Sequence, residues 1–331
     1  MADAHPMVEL WRGGRLESAH AGHAVICDAG GRVVEAWGDP EAVIFPRSSC
    51  KMLQALPLVE SGAAEAAGLT DAQLALACAS HNGGHIHTDR VTDWLADLGL
   101  GEPDLRCGAH MPRDPEAHKE LLCSDTAPCQ IHNNCSGKHA GFLTLTRHLK
   151  AGPEYVEIDH PVQKAVRAAF EEVTGEASPG YGIDGCSAPN FATSVHGLAR
   201  AMAFFAAADG GSDARSRAAV RLRNAMAAYP ELVAGEGRAC TELMRAMDGK
   251  VSIKTGAEAV FVAMVPEKKL GIALKIVDGG TRASEAVIAA LLVKLGMLDP
   301  EHPATRRRLN AVQTNWRGIE TGILRAAEGF A

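Results

Sequence analysis

Pro46-Arg47-Ser48-Ser49-Cys50-Lys51-Met52-Leu53-Gln54-Ala55-Leu56 is the stretch at which the chain changes period. Before it, apolar residues alternate as in a strand; from Ser48 onward they recur as on a helix face. Upstream, Val8-Glu9-Leu10-Trp11 and His23-Ala24-Val25-Ile26-Cys27 alternate, Asp28-Ala29-Gly30-Gly31 supplies turn residues, and Arg32-Val33-Val34-Glu35-Ala36-Trp37 alternates again. This predicts an antiparallel meander. Downstream, if Ser48 caps the helix, Lys51 lies one turn on, about 4.5 Å along the axis and on the same face. A serine hydroxyl is a weak nucleophile at neutral pH and needs a neighbour to take its proton. A lysine can do so once burial or a second cation brings its pKa down from about 10.4.

Two distant tripeptides carry the groups that such a pair requires. Lys254-Thr255-Gly256 offers a second cation, and Ser80-His81-Asn82 offers a hydroxyl able to relay protons between the two amines. The free N–H groups at the helix start suit a developing oxyanion. Each piece has a plainer reading: Lys51 as a solvated helix residue, Ser80 as part of a turn, Lys254 as an ordinary strand residue. Their order along the chain is what favours the chemical one. Serine with lysine three residues on, then serine beside an amide, then Lys-Thr-Gly is the order found in penicillin-recognising serine hydrolases.

At 331 residues, with 47% hydrophobic and 22% charged residues, the chain has the composition of a soluble globular protein with one large core or two modest ones. Its 33 basic and 40 acidic residues give a net charge of −7 without a basic block, which argues against nucleic acid as a partner. No stretch approaches the roughly 18 apolar residues of a membrane span, and the start is acidic and polar where a signal peptide would be basic and then apolar. A cytoplasmic location is expected. Nine cysteines, odd in number and irregular in spacing, point to reduced thiols.

Beyond Lys51, Thr70-Asp71-Ala72-Gln73 reads as a capping box for a short helix that delivers Ser80 at its end. A helix with Val91, Trp94, Leu95 and Leu98 on one stripe stops at Gly99, and a loop with a short helix around Pro115 to Leu122 follows. Further helices are expected over 137–150, from Pro161 to Val173, through Leu198, Met202 and Phe205, and from Asp213 to Tyr229. Strands then return at Val251–Lys254 and in the hairpin of Ala259–Val265 with Gly271–Val277, before a helix from Ser284 to Leu295. Strands at both ends with helices between imply an α+β fold, an antiparallel sheet assembled from both termini with helices packed on it. The reading is of a single domain over 1–331, with its sheet part at about 1–45 and 250–331 and its helical part at about 46–249.

Two other stretches concentrate reactive groups: Asn133-Asn134-Cys135-Ser136-Gly137-Lys138-His139 and Asp184-Gly185-Cys186-Ser187-Ala188-Pro189-Asn190. Cys135 and Lys138 sit one turn apart at a helix start, where the dipole favours a thiolate. Two thiolates suit zinc, but Cys-x-x-Lys is not an ordinary zinc pattern, so small core cysteines stand as the other reading. Asp184 is either a turn residue or a charge-assisted partner for the α-amino group of an amino-acid substrate. His85, His87, His110 and His132 show no usable pattern.

Taken together, these stretches resemble the Rhizobium etli type of L-asparaginase, a third structural class related in fold to serine β-lactamases and glutaminases. The marks are Pro46–Lys51, Ser80-His81-Asn82-Gly83-Gly84, Asn134-Cys135-Ser136-Gly137-Lys138-His139-Ala140-Gly141, Asp184-Gly185-Cys186 and Lys254-Thr255-Gly256, spread over nearly the whole chain. The resemblance implies hydrolysis of L-asparagine to L-aspartate and ammonia. It implies Ser48 as nucleophile with Lys51 as base, and Ser80 with Lys254 as a second pair. Cys135, Lys138 and Cys186 would bind zinc, and Arg47, His81, Asn82, Gly83, His139 and Asp184 would line the pocket. It further implies a homodimer. A cytosolic L-glutaminase and a non-catalytic amino-acid sensor are the alternatives.

Overall fold

The computed structural model describes residues 4–331. The chain divides into two compact units, one of Met1–Ser49, Thr193–Ala207 and Glu242–Ala331, the other of Cys50–Ala192 and Ala208–Thr241. The first unit is built on an antiparallel sheet. From edge to edge its strands run Ala311–Thr314, Glu320–Ala326, His5–Arg12, Arg15–Cys27, Leu270–Ile276, Val260–Val265 and Ser252–Thr255. Val33–Trp37 pairs with the far end of Arg15–Cys27, through Ala24↔Trp37 and Val25↔Ala36, beyond the point where His5–Arg12 leaves that strand.

The expected α+β fold, with one antiparallel sheet drawn from both termini, is therefore the observed one. Its last two strands, Ala311–Thr314 and Glu320–Ala326, were not expected. They lie at the margin, where Val312 and Ile319 are exposed and Gln313, Thr314 and Asn315 break the apolar alternation. Val260–Val265 is buried at every position, so both faces of the sheet are covered there, and the helices touching it are Val195–Ala207 and Thr281–Lys294. The first of these comes from mid-chain and yet packs on the sheet, for its apolar face carries Leu198, Met202 and Phe205, all 0% exposed.

The second unit is helical. Lys51–Glu60 is buried at eight consecutive positions, Lys51–Leu58, and contacts the helices Ser136–His148, Pro161–Thr174 and Ala214–Ala228. Fully burying Leu53 or Leu56 stabilises the fold by about 1.5–3 kcal/mol each. The capping box is present: Gln73 N–H donates to Thr70 Oγ1 at 3.4 Å and Thr70 N–H donates to Gln73 Oε1 at 2.9 Å. The helix His85–Asp97 buries Val91, Trp94 and Leu95, and the short helix after the loop is Pro115–Cys123.

One expectation is corrected. Ser48 does not cap the helix but lies in a 3-10 turn, Arg47–Cys50, and the capping position falls to Cys50, whose side chain makes no cap bond. The reason lies one residue earlier, at Arg47 (φ 53°), which turns the chain tightly before the helix begins. Among the described residues no helix is long and apolar enough to cross a membrane, and no disulfide is formed.

Candidate active site

In the helical unit a lysine opens the central helix and is almost wholly buried, at 1% exposure. The Lys51 ammonium donates to the Ala79 carbonyl, to Ser80 Oγ at 3.0 Å and to Cys135 Sγ at 3.1 Å. A buried amine is tolerable only where its polar group is paired, and here three acceptors surround it. Ser80 stands just beyond the helix Asp71–Ala77, with its N–H held by the Val233 carbonyl at 2.9 Å.

Cys135 is the residue before the helix Ser136–His148, and Lys138 lies one turn into it. Lys138 Nζ is 3.0 Å from Cys186 Sγ. Cys186 is held well below the usual thiol range, first by hydrogen bonding from Cys135 and then, against the cost of burial, by the Lys138 charge. Cys135 is correspondingly raised, so that it is the protonated partner. Burial works to lower the Lys138 pKa, but the charges at Cys186 and Cys135 outweigh it and hold the ammonium protonated. Cys186 reaches this position on the turn between the strands Tyr181–Ile183 and Pro189–Phe191, where Ser187 adopts φ 69°, a strained value for a residue with a side chain. Asp184, on the same turn, is half-buried, and its charge is felt at Lys138.

His81 is fully buried and stacked on His87, with ring centroids 4.8 Å apart. Its Nδ1 accepts from Gly83 N–H at 3.1 Å, so the ring proton sits on Nε2, 3.0 Å from Ser136 Oγ. Burial, then the neighbouring His87, pushes its pKa well below the ordinary value. The Asn82 side chain is engaged by a loop: its Oδ1 accepts from Arg238 Nη1 at 3.0 Å and its Nδ2 donates to the Glu236 carbonyl at 3.2 Å. His139 is also fully buried, with Nδ1 2.9 Å from Tyr155 Oη and the ring hydrogen-bonded to Cys186.

In the sheet unit, Lys254 is 1% exposed on Ser252–Thr255, and its Nζ donates to the Thr255 carbonyl at 2.7 Å. The strand ends against the Pro46–Ser49 turn. A Cβ on Gly256 would lie 2.7 Å from the Pro46 carbonyl oxygen and 3.0 Å from Ser49 N, so only glycine fits there. Two stretches some two hundred positions apart are thus in contact. Arg47 and Ser48 are half-buried on that turn, and Ser49 Oγ donates to the Pro46 carbonyl at 2.7 Å.

Arg238 and Tyr155 escaped the sequence reading. Gly235-Glu236-Gly237-Arg238 carries a turn signal, but nothing in it names Asn82 as the partner. A lone tyrosine has no local pattern at all. Among the described residues no cluster of three or more His, Cys, Asp or Glu is arranged to hold a metal. Cys135, Lys138 and Cys186 are a different set: two sulfurs and an amine, buried and converging on one another, with the Cys186 thiol held well below its ordinary range. That donor chemistry fits a borderline-soft divalent ion, which would displace the remaining protons.

Among proteins with curated descriptions, none matches the chain. Solved structures with a similar course include Mglu in its native form, 13% identical over 85% of this chain and 66% of that one, with a TM-score of 0.47. A β-lactamase from Mycobacterium bovis is 13% identical over 84% of this chain and 95% of that one, with a TM-score of 0.46. The octameric penicillin-binding protein homologue from Pyrococcus abyssi is 13% identical over 93% and 84%, with a TM-score of 0.38. The chain spans about two thirds or less of Mglu, 66% of the native form and 60% of the tris and glutamate form. The family model of L-asparaginase II matches residues 8–326, nearly the whole length, and the chain belongs to that family.

Proposed function

We propose that the protein hydrolyses the side-chain amide of L-asparagine, giving L-aspartate and ammonia by acyl transfer through a serine. Ser48 attacks the amide carbon as Lys51 takes its proton, ammonia departs with a proton delivered by Ser80 and Lys254, and water then cleaves the aspartyl ester. In an L-asparaginase II chain, the observation that carries this reading is the buried Lys51 amine 3.0 Å from the Ser80 hydroxyl, a nitrogen that in its neutral form can accept a proton. A lysine placed among a carbonyl, a hydroxyl and a thiol, without a carboxylate partner, is poorly explained as a stabilising device.

The same distance favours a second reading, in which Ser80 is the nucleophile and Lys51 its base. Ammonia release by Ser48→Ala and Ser80→Ala separates the two. Loss of the nucleophile costs about 10⁴-fold or more in kcat, and loss of a proton relay about 10²-fold. Near-normal turnover by Ser48→Ala rules it out as the nucleophile. Glutamine is longer by one methylene, worth about 1–3 kcal/mol, so comparison of kcat/KM on the two amides decides between asparaginase and glutaminase. A non-catalytic sensor would bind stoichiometrically and release no ammonia.

With this reading goes a zinc ion held by Cys135, Lys138 and Cys186, which when bound would supply fixed positive charge beside the pocket. Elemental analysis of protein purified without added metal should find zinc in the wild type and not in Cys135→Ala. Zinc-free wild type with full activity would end the assignment. We infer a cytoplasmic location and a homodimer as well, both of which go with the family resemblance. Sedimentation at the mass of one 34.8 kDa protomer would refute the dimer.

A further inference from the structure

Ser80-His81-Asn82 follows the helix Asp71–Ala77 without regular structure of its own, so its course is set by what it bonds to. Ser80 N–H donates to the Val233 carbonyl at 2.9 Å and His81 N–H to the Asn134 carbonyl at 3.2 Å, while the Asn82 carbonyl accepts from the N–H groups of Arg113 and Asp114 at 2.7 and 2.9 Å. The Asn82 side chain adds a further tie. A guanidinium only donates and a backbone carbonyl only accepts, so Arg238 Nη1 at 3.0 Å and the Glu236 carbonyl at 3.2 Å fix which way the amide faces. Both partners come from the turn 235–238, whose backbone presses close: Gly235 has φ 110°, and a Cβ there would lie 2.5 Å from Asn82 Nδ2 and 2.7 Å from its Cγ. The same Arg238 nitrogen is 3.5 Å from the Ser80 carbonyl oxygen. Ser80 Oγ, in turn, is 3.0 Å from Lys51 Nζ. A misplacement of about 1 Å between groups that must react can cost about 10²-fold in rate.

We propose that Arg238 is a positioning residue for the reaction: by gripping the Asn82 amide from the turn 235–238, it holds the Ser80 main chain where the hydroxyl meets the Lys51 amine. The proposal rests on the reading that Ser80 and Lys51 act together in amide hydrolysis, whichever serine attacks. Arg238 works through Asn82 and not on the substrate. Without its guanidinium the Asn82 oxygen loses its donor, the turn lets go of the amide, and Ser80, two residues earlier, is left with its main-chain N–H bond and a looser side chain. Substrate binding is then little changed, while the fraction of time that the hydroxyl spends against the amine falls.

The test uses the full chain and three readouts: ammonia release from L-asparagine, L-aspartate binding by calorimetry, and backbone hydrogen exchange by mass spectrometry. Arg238→Gln should lower kcat about tenfold or more and move the Kd for L-aspartate by less than about twofold. Arg238→Lys, which keeps a donor and the charge, should recover part of the loss. In an Asn82→Ala background Arg238→Gln should change kcat by less than about twofold. Exchange at 80–83 should quicken about tenfold in Arg238→Gln, with the helix His85–Asp97 and the strand Val260–Val265 unchanged. An unchanged kcat in the folded variant overturns the proposal. So does a Kd that rises about tenfold with kcat unmoved, which would make Arg238 a substrate contact. Exchange that quickens everywhere would reduce Arg238 to a general stabiliser. Wild type that releases no ammonia strikes the asparaginase reading, and exchange at 80–83 then decides the clamp on its own, with no acceleration as the adverse result. If Arg238→Gln does not fold, the wild type decides: 80–83 exchanging as fast as the exposed residues 124–127 would mean that nothing grips this stretch.

Discussion

Polar groups sealed inside the helical unit set how it responds to acid. His81 and His87 stack face to face, exposed by 0% and 1%, and burial depresses the pKa of each. In the unfolded chain both imidazoles take up a proton below about pH 6.5. In the fold they stay neutral to lower pH, so the unfolded state binds more protons and stability falls as pH drops. Each imidazole that remains neutral contributes up to about 1.4 kcal/mol of loss per pH unit below that point. Urea denaturation at pH 7.0 and pH 5.5 should show the decline, and His87→Gln should flatten it. A wild-type unfolding free energy equal at both values would contradict the neutral pair. At this scale the sequence was legible where reactive residues lie one turn apart, as Cys135 and Lys138 do. Tyr155 and Arg238 were not, because a single residue's partners are chosen by the tertiary fold.

Between residue and molecule stand the elements, and one contact shows how closely the site depends on their packing. The helix Ser136–His148 lies on Asp71–Ala77 at Gly137, where an added Cβ would sit 2.5 Å from the Leu76 carbonyl oxygen and 2.9 Å from its carbon. Both atoms are backbone in a helix and cannot swing aside. Gly137→Ala should therefore destabilise by about 1–3 kcal/mol through overpacking, even though alanine in a helix gains about 1 kcal/mol over glycine. The measurement is the urea midpoint at constant slope, and a rise in midpoint would refute the contact. A second change tests the cap: Thr70→Ala should cost about 1 kcal/mol. The capping box was readable because its two residues are local, three apart in sequence. The start of Lys51–Glu60 was misread for the complementary reason: Ser48 is a good capping residue, but the positive φ at Arg47 belongs to a tight turn that no spacing rule announces.

For the molecule as a whole, the sheet makes the ends of the chain depend on each other. His5–Arg12 is flanked by Glu320–Ala326 on one side and Arg15–Cys27 on the other, with the register Val8↔Ala326 and Leu10↔Leu324. Alternation at both ends made one shared sheet legible, but not which strands are neighbours, because pairing partners three hundred residues apart leave no local mark. Deleting 310–331 removes Ala311–Thr314 and Glu320–Ala326 together. His5–Arg12 then becomes an edge whose N–H and C=O groups have lost their partners, and Val8 and Leu10, exposed by 1% and 6% in the full chain, lose much of their cover. An open edge with apolar neighbours is a template for pairing with another chain. The truncated protein should accordingly associate, with light scattering rising with concentration and soluble yield falling. Deleting only Ala331, exposed and beyond the last strand, spares the pairing and the buried Phe330 and should leave scattering at the full-length level. A monodisperse 1–309 fragment with an undiminished strand signal in circular dichroism would mean that the sheet closes without its last two strands, and that the ladder joining the two ends of the chain is dispensable.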